Sequence, residues 1–537
     1  MSDVLVVGSG ATGAQFALSA LRSGHQVTML DVGFERPASP YPEATFDGLK
    51  AALADPVDYF IGEGGSSVVY PASHPKYYGF PPTKEYVFRL PGQFALTARG
   101  FDPLFSFARG GLAEAWTGGS YEYADDDLAE FPFGHEELRP YYGEVARRIG
   151  ISAVEDDLVR FAPFTADYLE PLRLDPHSER LLGTYQTARE RLQRRLGFFL
   201  GRSRVATLSR DLGSRQGCDH LGRCLWGCPR ESIYAPSATL RDCQELPGFR
   251  YVPGRYVRHF EYAADGRVTA MVAECLDGGE EERFPADLFV LAAGTLCSTK
   301  VYLDSLFRQT GRVESLGGLM DNRMVMIPFL TLGLVGTEPR TAHYQFHLLA
   351  FGIEGQSPAD HVHGQITTLK AAAIHPIVQS LPVDLRTGLG LFQSMRAGLG
   401  VANLWLPESR LESNRVTIRP LGGGRTELMV DYGEQPGEEQ AVRRAIRTTK
   451  RGLLALGAVA PPGMTRILPK GASLHYAGTL PMRSGGHGHS LTPDGRSRVF
   501  PNLCVVDGSG FPFLPAKNHT FTLMANALRI ADRVLGQ

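Results

Sequence analysis

Residues 4–13 read Val-Leu-Val-Val-Gly-Ser-Gly-Ala-Thr-Gly, and this stretch decides the fold. The apolar run at 4–7 is typical of a short strand that is buried on both faces of a parallel sheet. Glycines follow it and lead into a helical pattern that extends to about residue 23. A second apolar run, at 27–30, returns as the neighbouring strand. The pattern predicts a βαβ unit at the start of an α/β domain.

The glycines of this stretch have the spacing of a dinucleotide-binding turn. Gly8 and Gly10 allow a tight turn and let backbone N–H groups approach a pyrophosphate, whereas Gly13 lets the helix pack closely on the strand. The N-terminus of the helix adds the positive end of its dipole. Asp31 follows Gly10 by 21 residues, where an acidic side chain can accept hydrogen bonds from a ribose. The motif predicts a bound dinucleotide, and by itself it fits both FAD and NAD.

The rest of the chain predicts interleaved domains. The segment at 291–295, Leu-Ala-Ala-Gly-Thr, has the pattern of a buried strand that ends in small residues, among them Ala293 and Gly294, which let a backbone pass close to a cofactor. Residues 249–293 have the pattern of an antiparallel hairpin with a turn at 264–266, followed by the buried strand. Alternating apolar runs between 323 and 465 predict a mostly antiparallel sheet. We therefore expect a Rossmann-like α/β (α+β) fold.

The expected boundaries follow from these changes of pattern. Residues 1–322 and 466–537 would form a discontinuous cofactor-binding domain, with excursions at 35–90 and 151–200, and residues 323–465 would form a substrate-binding domain. Helices are expected at about 136–150, 178–198 and 436–456.

Composition excludes several classes of function. The 537 residues are 43% hydrophobic and 21% charged, with a net charge of −2. This balance gives no electrostatic reason to expect a nucleic acid or an anionic membrane as a partner. We find no transmembrane segment and no secretion leader in the sequence, so the expected location is the cytoplasm.

Three of the seven cysteines lie close together, at Cys218, Cys224 and Cys228. A zinc site would need a fourth ligand, and His220 is the only nearby candidate. The spacing lacks a Cys-x-x-Cys pair, and an apparently cytosolic chain favours reduced thiols over disulfides. We expect buried thiols and no metal at this cluster.

The C-terminal seventy residues carry three polar motifs in a fixed order. They are His475 in LHYAGT, Asp507 in NLCVVDGS, and Asn518–His519 in KNHTFTLMANALRIAD. Together with the N-terminal glycines and the LAAGT segment at 291–295, they resemble the glucose–methanol–choline (GMC) oxidoreductases. These are FAD enzymes that oxidise alcohols and sugars.

The resemblance implies roles for individual residues. His475 would face the flavin N5 and take the proton of the substrate hydroxyl as hydride leaves the carbon. Asn518 matches the second catalytic position of the family, which is His or Asn. Many relatives have Pro where this chain has His519, so either Asn518 or His519 could contact the substrate, and we favour Asn518. The implied cofactor contacts are Asp507, Gly508, Val257, Ala293, Gly294 and Thr117.

The segment Ala113–Thr117 narrows the resemblance to pyranose oxidases and glycoside 3-oxidases. It is similar to the Thr-His-Trp-Thr segment through which pyranose oxidases attach their flavin covalently. Ala115 stands at the position of the flavin-linking His. A methyl group cannot form that bond, so the resemblance implies non-covalent FAD.

The expected function is FAD-dependent oxidation of a secondary hydroxyl, at C2 or C3 of a sugar or glycoside, to a ketosugar. The electron acceptor would be O₂, a quinone or another compound, and the sequence leaves the oligomeric state open. The alternative within the family is a primary-alcohol dehydrogenase of aminoglycoside or other secondary metabolism. Outside this class, an NAD-dependent enzyme and a non-catalytic flavin-binding module remain open.

Overall fold

The structure of the protein, a computed structural model, describes residues 2–36, 42–62, 80–278, 281–369, 382–486 and 488–536. Parts of the predicted excursion at 35–90, and the end of the predicted strand pattern at 370–374, lie outside these residues. The helices are α1 (Ala11–Arg22), α2 (Phe46–Ala52), α3 (Pro56–Ile61), α4 (His135–Ile149), α5 (Pro176–Leu196), α6 (Pro236–Gln244), α7 (Thr295–Thr310), α8 (Leu385–Met395), α9 (Glu438–Ala455) and α10 (Thr520–Leu535).

The strands are short and lie between these helices in the chain. They are β1 (Asp3–Val7), β2 (Gln26–Leu30), β3 (Leu96–Arg99), β4 (Phe198–Arg202), β5 (Phe249–Val252), β6 (Arg255–Tyr262), β7 (Val268–Cys275), β8 (Glu281–Phe284), β9 (Leu288–Leu291), β10 (Ser315–Gly317), β11 (Met320–Asp321), β12 (Met324–Thr331), β13 (Leu349–Ile353), β14 (Val362–Thr368), β15 (Leu399–Trp405), β16 (Arg415–Gly422), β17 (Arg425–Asp431), β18 (Ala458–Val459), β19 (Arg466–Ile467), β20 (Tyr476–Ala477) and β21 (Leu503–Val505).

A five-stranded parallel sheet forms the centre of the first structural unit, in the order β21-β9-β1-β2-β5. Residues 4–7 of its central strand are completely buried, because helices cover both faces of such a sheet. Helix α1 starts directly after Gly10 and packs against α6 and α10. The predicted βαβ unit and the α/β fold class are confirmed.

One strand assignment was wrong. We expected the residues from 249 up to the buried strand to form one antiparallel hairpin, but β5 pairs in parallel with β2 at the edge of the first sheet. The antiparallel hairpin is formed by β6 and β7, and β8 extends it. Pro253 and Gly254 separate the two elements, and Gly254 has a φ of 71° that redirects the chain.

A seven-stranded antiparallel sheet forms the centre of the second structural unit, in the order β18-β12-β15-β14-β13-β4, with β19 also paired to β12. One face packs on α5 and α9 and forms a second core, for example through Phe351 stacked on Phe198 with ring centres 5.2 Å apart. The opposite face carries Gln365 and Trp405, which contact Asn518 and His475. The predicted antiparallel sheet is confirmed.

Segments of the two structural units alternate along the chain. Strand β4 and helix α5 precede residue 323, yet they belong to the second core. Strands β16 and β17 pair with β10 and β3, and their buried residues join the first core. The division at 323 and 465 stays a prediction, and β4 and α5 would belong with the second unit. None of the helices in the described ranges is long and apolar enough to span a membrane.

The close packing of α1 on the first turn gives a testable prediction. A Cβ at Gly13 would lie 2.1 Å from the carbonyl oxygen of Gly8, a backbone atom that cannot move aside without shifting the turn. We expect Gly13→Ala to destabilise the protein by about 1–3 kcal/mol, as overpacking typically does. Thermal unfolding of the purified protein measures the effect.

Gly183 supplies the matched control, because it lies inside α5 and a Cβ there would meet nothing within 4 Å. We expect Gly183→Ala to leave the protein as stable or slightly more stable, since Ala is the better helix former by up to about 1 kcal/mol. Equal melting temperatures for the two variants would contradict the proposed packing role of Gly13.

Candidate functional site

A cavity of about 230 Å³ lies at the carboxyl edge of the parallel sheet. Nine of the residues chosen from the sequence line it: Gly8, Gly10, Asp31, Val257, Ala293, Gly294, Asp507, Gly508 and His519. Gly13 lies beneath the turn rather than in the wall. The cavity therefore brings together segments from the start, the middle and the end of the chain.

The glycines shape this cavity. Gly8 has a φ of 99°, and a Cβ there would lie 2.6 Å from the carbonyl oxygen of Ala292. At Gly10 and Gly294, in contrast, a Cβ would meet nothing within 4 Å. Gly10 caps α1 without a side-chain hydrogen bond to its first turn. The first N–H groups of α1 can therefore donate to an anionic group such as a pyrophosphate, so the turn fits a dinucleotide.

Asp31 ends the second strand of this site and is buried. Its Oδ2 accepts hydrogen bonds from the hydroxyls of Ser9 and, at 3.0 Å, Tyr251. Burial raises the pKa of Asp31 to about 7, against the lowering effect of these hydrogen bonds. Sequence reasoning missed Tyr251, because its approach to Asp31 depends on the pairing of β5 with β2.

Asp507 fastens two walls of the cavity to each other. Its carboxylate accepts hydrogen bonds from the Gly294 N–H at 3.0 Å, from the Ser298 hydroxyl at 2.5 Å, and from Ser509. Burial raises its pKa. At Gly508 a Cβ would lie 2.4 Å from the Tyr476 carbonyl oxygen. The Asp507 carboxylate is therefore occupied by contacts within the wall. The part of residues 507–508 that remains to contact a ligand in the cavity is their backbone.

His475 lies just before β20, beside the cavity and buried. Its Nδ1 is 3.1 Å from the Asn322 Oδ1, and its Nε2 is 3.3 Å from the Asn518 Nδ2. Burial lowers the pKa of His475 well below its ordinary value of 6.5, and the neighbouring His519 lowers it further. The imidazole is therefore neutral near pH 7 and can accept a proton.

The two residues proposed as partners of His475 differ in geometry. Asn518 lies within hydrogen-bonding distance of the His475 Nε2, and its Oδ1 accepts a hydrogen bond of 2.6 Å from Gln365. A side chain at Gly119 would exclude this arrangement, since a Cβ would lie 2.6 Å from the Asn518 Oδ1.

His519 packs its ring edge-on against His475, with ring centres 4.9 Å apart. Its Nδ1 is buried without a hydrogen-bond partner among the described residues. Burial lowers the pKa of His519 to about 4. His519 therefore both lines the cavity and contacts His475.

Sequence reasoning missed the face of the antiparallel sheet that covers His475. His363 and Gln365 alternate along β14, and His363 lies opposite Trp405 of β15. The rings of Trp405 and His475 are 5.9 Å apart, and Tyr121 packs edge-on against His363 at 4.4 Å. Two polar residues at alternate positions of a buried strand were the available signal, because they mark one polar face.

The segment Ala113–Thr117 lies on the other side of the site. Thr117 contacts two side chains from the loop before β13: its Oγ1 is 3.2 Å from His347 Nε2, and its carbonyl accepts a hydrogen bond of 3.2 Å from the Tyr344 hydroxyl. The Trp116 indole donates to the Tyr234 carbonyl at 2.7 Å. Thr117, His475 and Asn518 stand outside the cavity wall formed by the other predicted residues.

The cysteine cluster adjoins Tyr344, the residue that contacts Thr117. Cys218 and Cys224 pack against Val205 and Tyr344, and burial raises the pKa of Cys218 to about 11. Over the described ranges of the chain, the cysteines are free and no group of three potential ligands could hold a metal ion.

Known proteins resemble this chain over its whole length. The family model described as GMC oxidoreductase matches residues 411–527. Paromamine 6'-oxidase of Streptomyces fradiae is 24% identical over 99% of this chain and 91% of its own length. A C-glycoside 3-oxidase of Microbacterium trichothecenolyticum is 25% identical over 99% of this chain and 97% of its own length.

Among solved structures, pyridoxine 4-oxidase from Mesorbium loti has the same fold, with a TM-score of 0.60, 15% identity and full coverage of both chains. An FAD-dependent oxidoreductase from Chaetomium thermophilum matches with a TM-score of 0.57 and 15% identity over 99% of this chain and 98% of its own. With the glycine-lined cavity and the buried His475 beside it, these matches lead to one conclusion: the chain carries the GMC oxidoreductase domain at residues 411–527 and is a flavin-dependent oxidoreductase that acts on CH–OH groups.

Proposed function

We propose that this protein oxidises a secondary hydroxyl of a sugar or glycoside, at C2 or C3, to a ketone, with FAD as the cofactor. The observation that carries the proposal is the pair formed by His475 and Asn518 beside the glycine-lined cavity. FAD, when bound, supplies the acceptor for the hydride that leaves the substrate carbon. The residues that would hold it are the Gly8–Gly13 turn, Asp31, Val257, Ala293–Gly294 and Asp507–Gly508.

His475 is the proposed base. An alcohol carbon releases hydride readily only as its oxygen loses a proton, so a base with a free lone pair must lie beside that oxygen. Because burial lowers the pKa of His475, its imidazole is neutral at ordinary pH and has a free lone pair. Its Nε2 would take the hydroxyl proton, and positioned bases of this kind contribute about 10²–10⁴-fold in rate.

Asn518 is the proposed second catalytic residue. Its side-chain NH₂ group lies 3.3 Å from the His475 Nε2, where the substrate hydroxyl would bind, so once that hydroxyl occupies the Nε2 lone pair the amide N–H groups can donate to the substrate oxygen. Such a donor stabilises the negative charge that develops on that oxygen. Gln365 holds the amide from its other end. We propose that His519 instead shields His475 from solvent on the cavity side.

The substrate class is inferred from two sources. A C-glycoside 3-oxidase is among the relatives that match 99% of the chain. The sheet face over His475 also combines an indole ring with imidazole and amide groups, which suits a ring with apolar faces and hydroxylated edges. Paromamine 6'-oxidase matches over a similar length and favours a second candidate, oxidation of a primary hydroxyl of an aminoglycoside.

Anaerobic mixing with candidate alcohols tests the function directly. We expect monosaccharides or C- and O-glycosides to bleach the flavin absorbance, and NMR of the product to show a ketone at C2 or C3. Bleaching by aminoglycosides with an aldehyde product would support the second candidate instead. Failure of every sugar, glycoside and aminoglycoside, with bleaching by simple alcohols alone, would contradict the proposed substrate class.

Removal of the base gives a second prediction. We expect His475→Ala to keep its FAD and to reduce it about 10²–10⁴-fold more slowly under a saturating substrate, measured by stopped-flow absorbance. His177→Ala is the control, because His177 is also a buried imidazole but lies in the first turn of α5, where it contacts Thr331 and does not line the cavity. An unchanged reduction rate in His475→Ala would rule out the base assignment.

The mode of FAD attachment gives a third prediction. We propose that FAD is held without a covalent bond, because Ala115 offers only a methyl group at the position of the linking His. Acid precipitation of the purified holoenzyme should release all flavin absorbance into the supernatant. Flavin fluorescence that stays with the protein band on a denaturing gel would contradict this proposal.

A further inference from the structure

Asn322 touches three segments of the candidate site. It lies between β11 and β12 and is 1% exposed. Its Nδ2 donates to the carbonyl oxygens of Leu406, at 2.8 Å, and Pro515, at 3.1 Å. Its Oδ1 faces the His475 Nδ1 at 3.1 Å. One amide thus connects the end of β15, the loop before Asn518 and the ring of His475.

These contacts fix which way the amide points. A backbone carbonyl oxygen can only accept hydrogen bonds, so the NH₂ group must face Leu406 and Pro515. A flipped amide would place its oxygen against both carbonyl oxygens and leave two buried acceptors without donors, each at a cost of about 1–3 kcal/mol. The Oδ1 therefore faces His475 and can only accept a hydrogen bond there.

The orientation of Asn322 dictates the tautomer of His475. A neutral imidazole carries one N–H, and the unprotonated nitrogen holds the lone pair. Since the Asn322 Oδ1 must receive a hydrogen, the N–H belongs on Nδ1. The lone pair is then on Nε2, the nitrogen that faces Asn518.

We propose that Asn322 is a positioning residue that holds His475 in the Nδ1–H tautomer and so makes Nε2 the base. This inference rests on the proposed role of His475. Nothing in the sequence motifs points to Asn322, which stands more than 150 residues before His475.

Separate contacts hold the backbone beside His475. Asp321 accepts hydrogen bonds from the Ser473 hydroxyl and, at 2.8 Å, the Gly471 N–H. Ser473 accepts a hydrogen bond of 3.0 Å from the His475 N–H. Because these bonds do not involve the Asn322 side chain, its removal should release the ring of His475 while the loop stays in place.

The titratable groups around the His475 ring do not bond its Nδ1, so Asn322 determines which nitrogen carries the hydrogen. His519 packs against it from the start of α10 and His363 lies nearby on β14, and burial lowers the pKa of both, so both are neutral near pH 7. Asp321 reaches the His475 backbone only through Ser473. Among these neighbours, Asn322 is the one whose side chain bonds the Nδ1.

The test compares Asn322→Ala and Asn322→Asp in the oxidised holoenzyme. Nitrogen-15 NMR of histidine-labelled protein distinguishes an N–H nitrogen from a lone-pair nitrogen, and His475→Ala assigns the signal. We expect the Nδ1–H form in the parent and a mixture of tautomers in Asn322→Ala. In Asn322→Asp the two N–H donors to Leu406 and Pro515 are lost, but the N–H on Nδ1 should persist, because a carboxylate also accepts from Nδ1. Flavin reduction should slow about 10–100-fold in Asn322→Ala, the usual effect of losing a residue that orients a functional His, and recover in part in Asn322→Asp.

Asn502 is the matched control. Its Oδ1 accepts one hydrogen bond from the backbone N–H of Val268, and its Nδ2 donates to two backbone carbonyls, the same pattern as at Asn322. Asn502→Ala should cost similar stability and leave both the His475 tautomer and the reduction rate unchanged. If Asn322→Ala keeps the Nδ1–H form, or slows reduction no more than Asn502→Ala does, the inference is wrong.

The NMR measurement needs no substrate, so it separates two kinds of failure. Normal flavin reduction by His475→Ala would overturn the proposed base and with it the catalytic role of Asn322. Loss of reduction in His475→Ala, with an unchanged tautomer and rate in Asn322→Ala, would overturn the role of Asn322 alone.

Discussion

The pairing of β21, β9, β1 and β2 in one parallel sheet is the constraint on which the site depends. Parallel pairing puts the carboxyl ends of neighbouring strands at the same edge. The residues that follow these strands therefore meet, although they stand almost 500 residues apart in the chain. Gly8 follows β1, Ala293–Gly294 follow β9, and Asp507 follows β21. The Asp507 carboxylate then ties the last two of these segments to each other.

The residues at this edge of the sheet could be predicted from the sequence, because the elements that place them are specified locally. A strand, a tight turn and a helix start are each specified by a few neighbouring residues, as at 4–13. The contacts across the site were out of reach for a physical reason. Whether Gln365 meets Asn518, or Tyr251 meets Asp31, depends on strand register and on pairing between distant segments. The β5 error had the same origin, since a short strand carries no sign of its partner.

The antiparallel sheet divides its residues between stability and function by simple alternation. Along β14 and β15, Ile366 and Leu404 face the core formed with α5 and α9, whereas Gln365 and Trp405 face His475 and Asn518. A shift of one residue in register would exchange the two sets. The packing of the core therefore also fixes the positions of the polar side chains, and changes in the core should be felt at the site.

The choice of an amide rather than a carboxylate beside His475 has a consequence for its proton affinity. A carboxylate on Nδ1 would stabilise the charged imidazolium and raise the pKa of the base. The Asn322 oxygen accepts the same hydrogen bond without a full charge. Burial can then keep His475 neutral, and the ring stays oriented. The site thus obtains a fixed lone pair on Nε2 without a buried ion pair, whose desolvation would cost several kcal/mol. The neighbouring Asp321 is kept away from the ring, because its oxygens are occupied by Ser473 and Gly471.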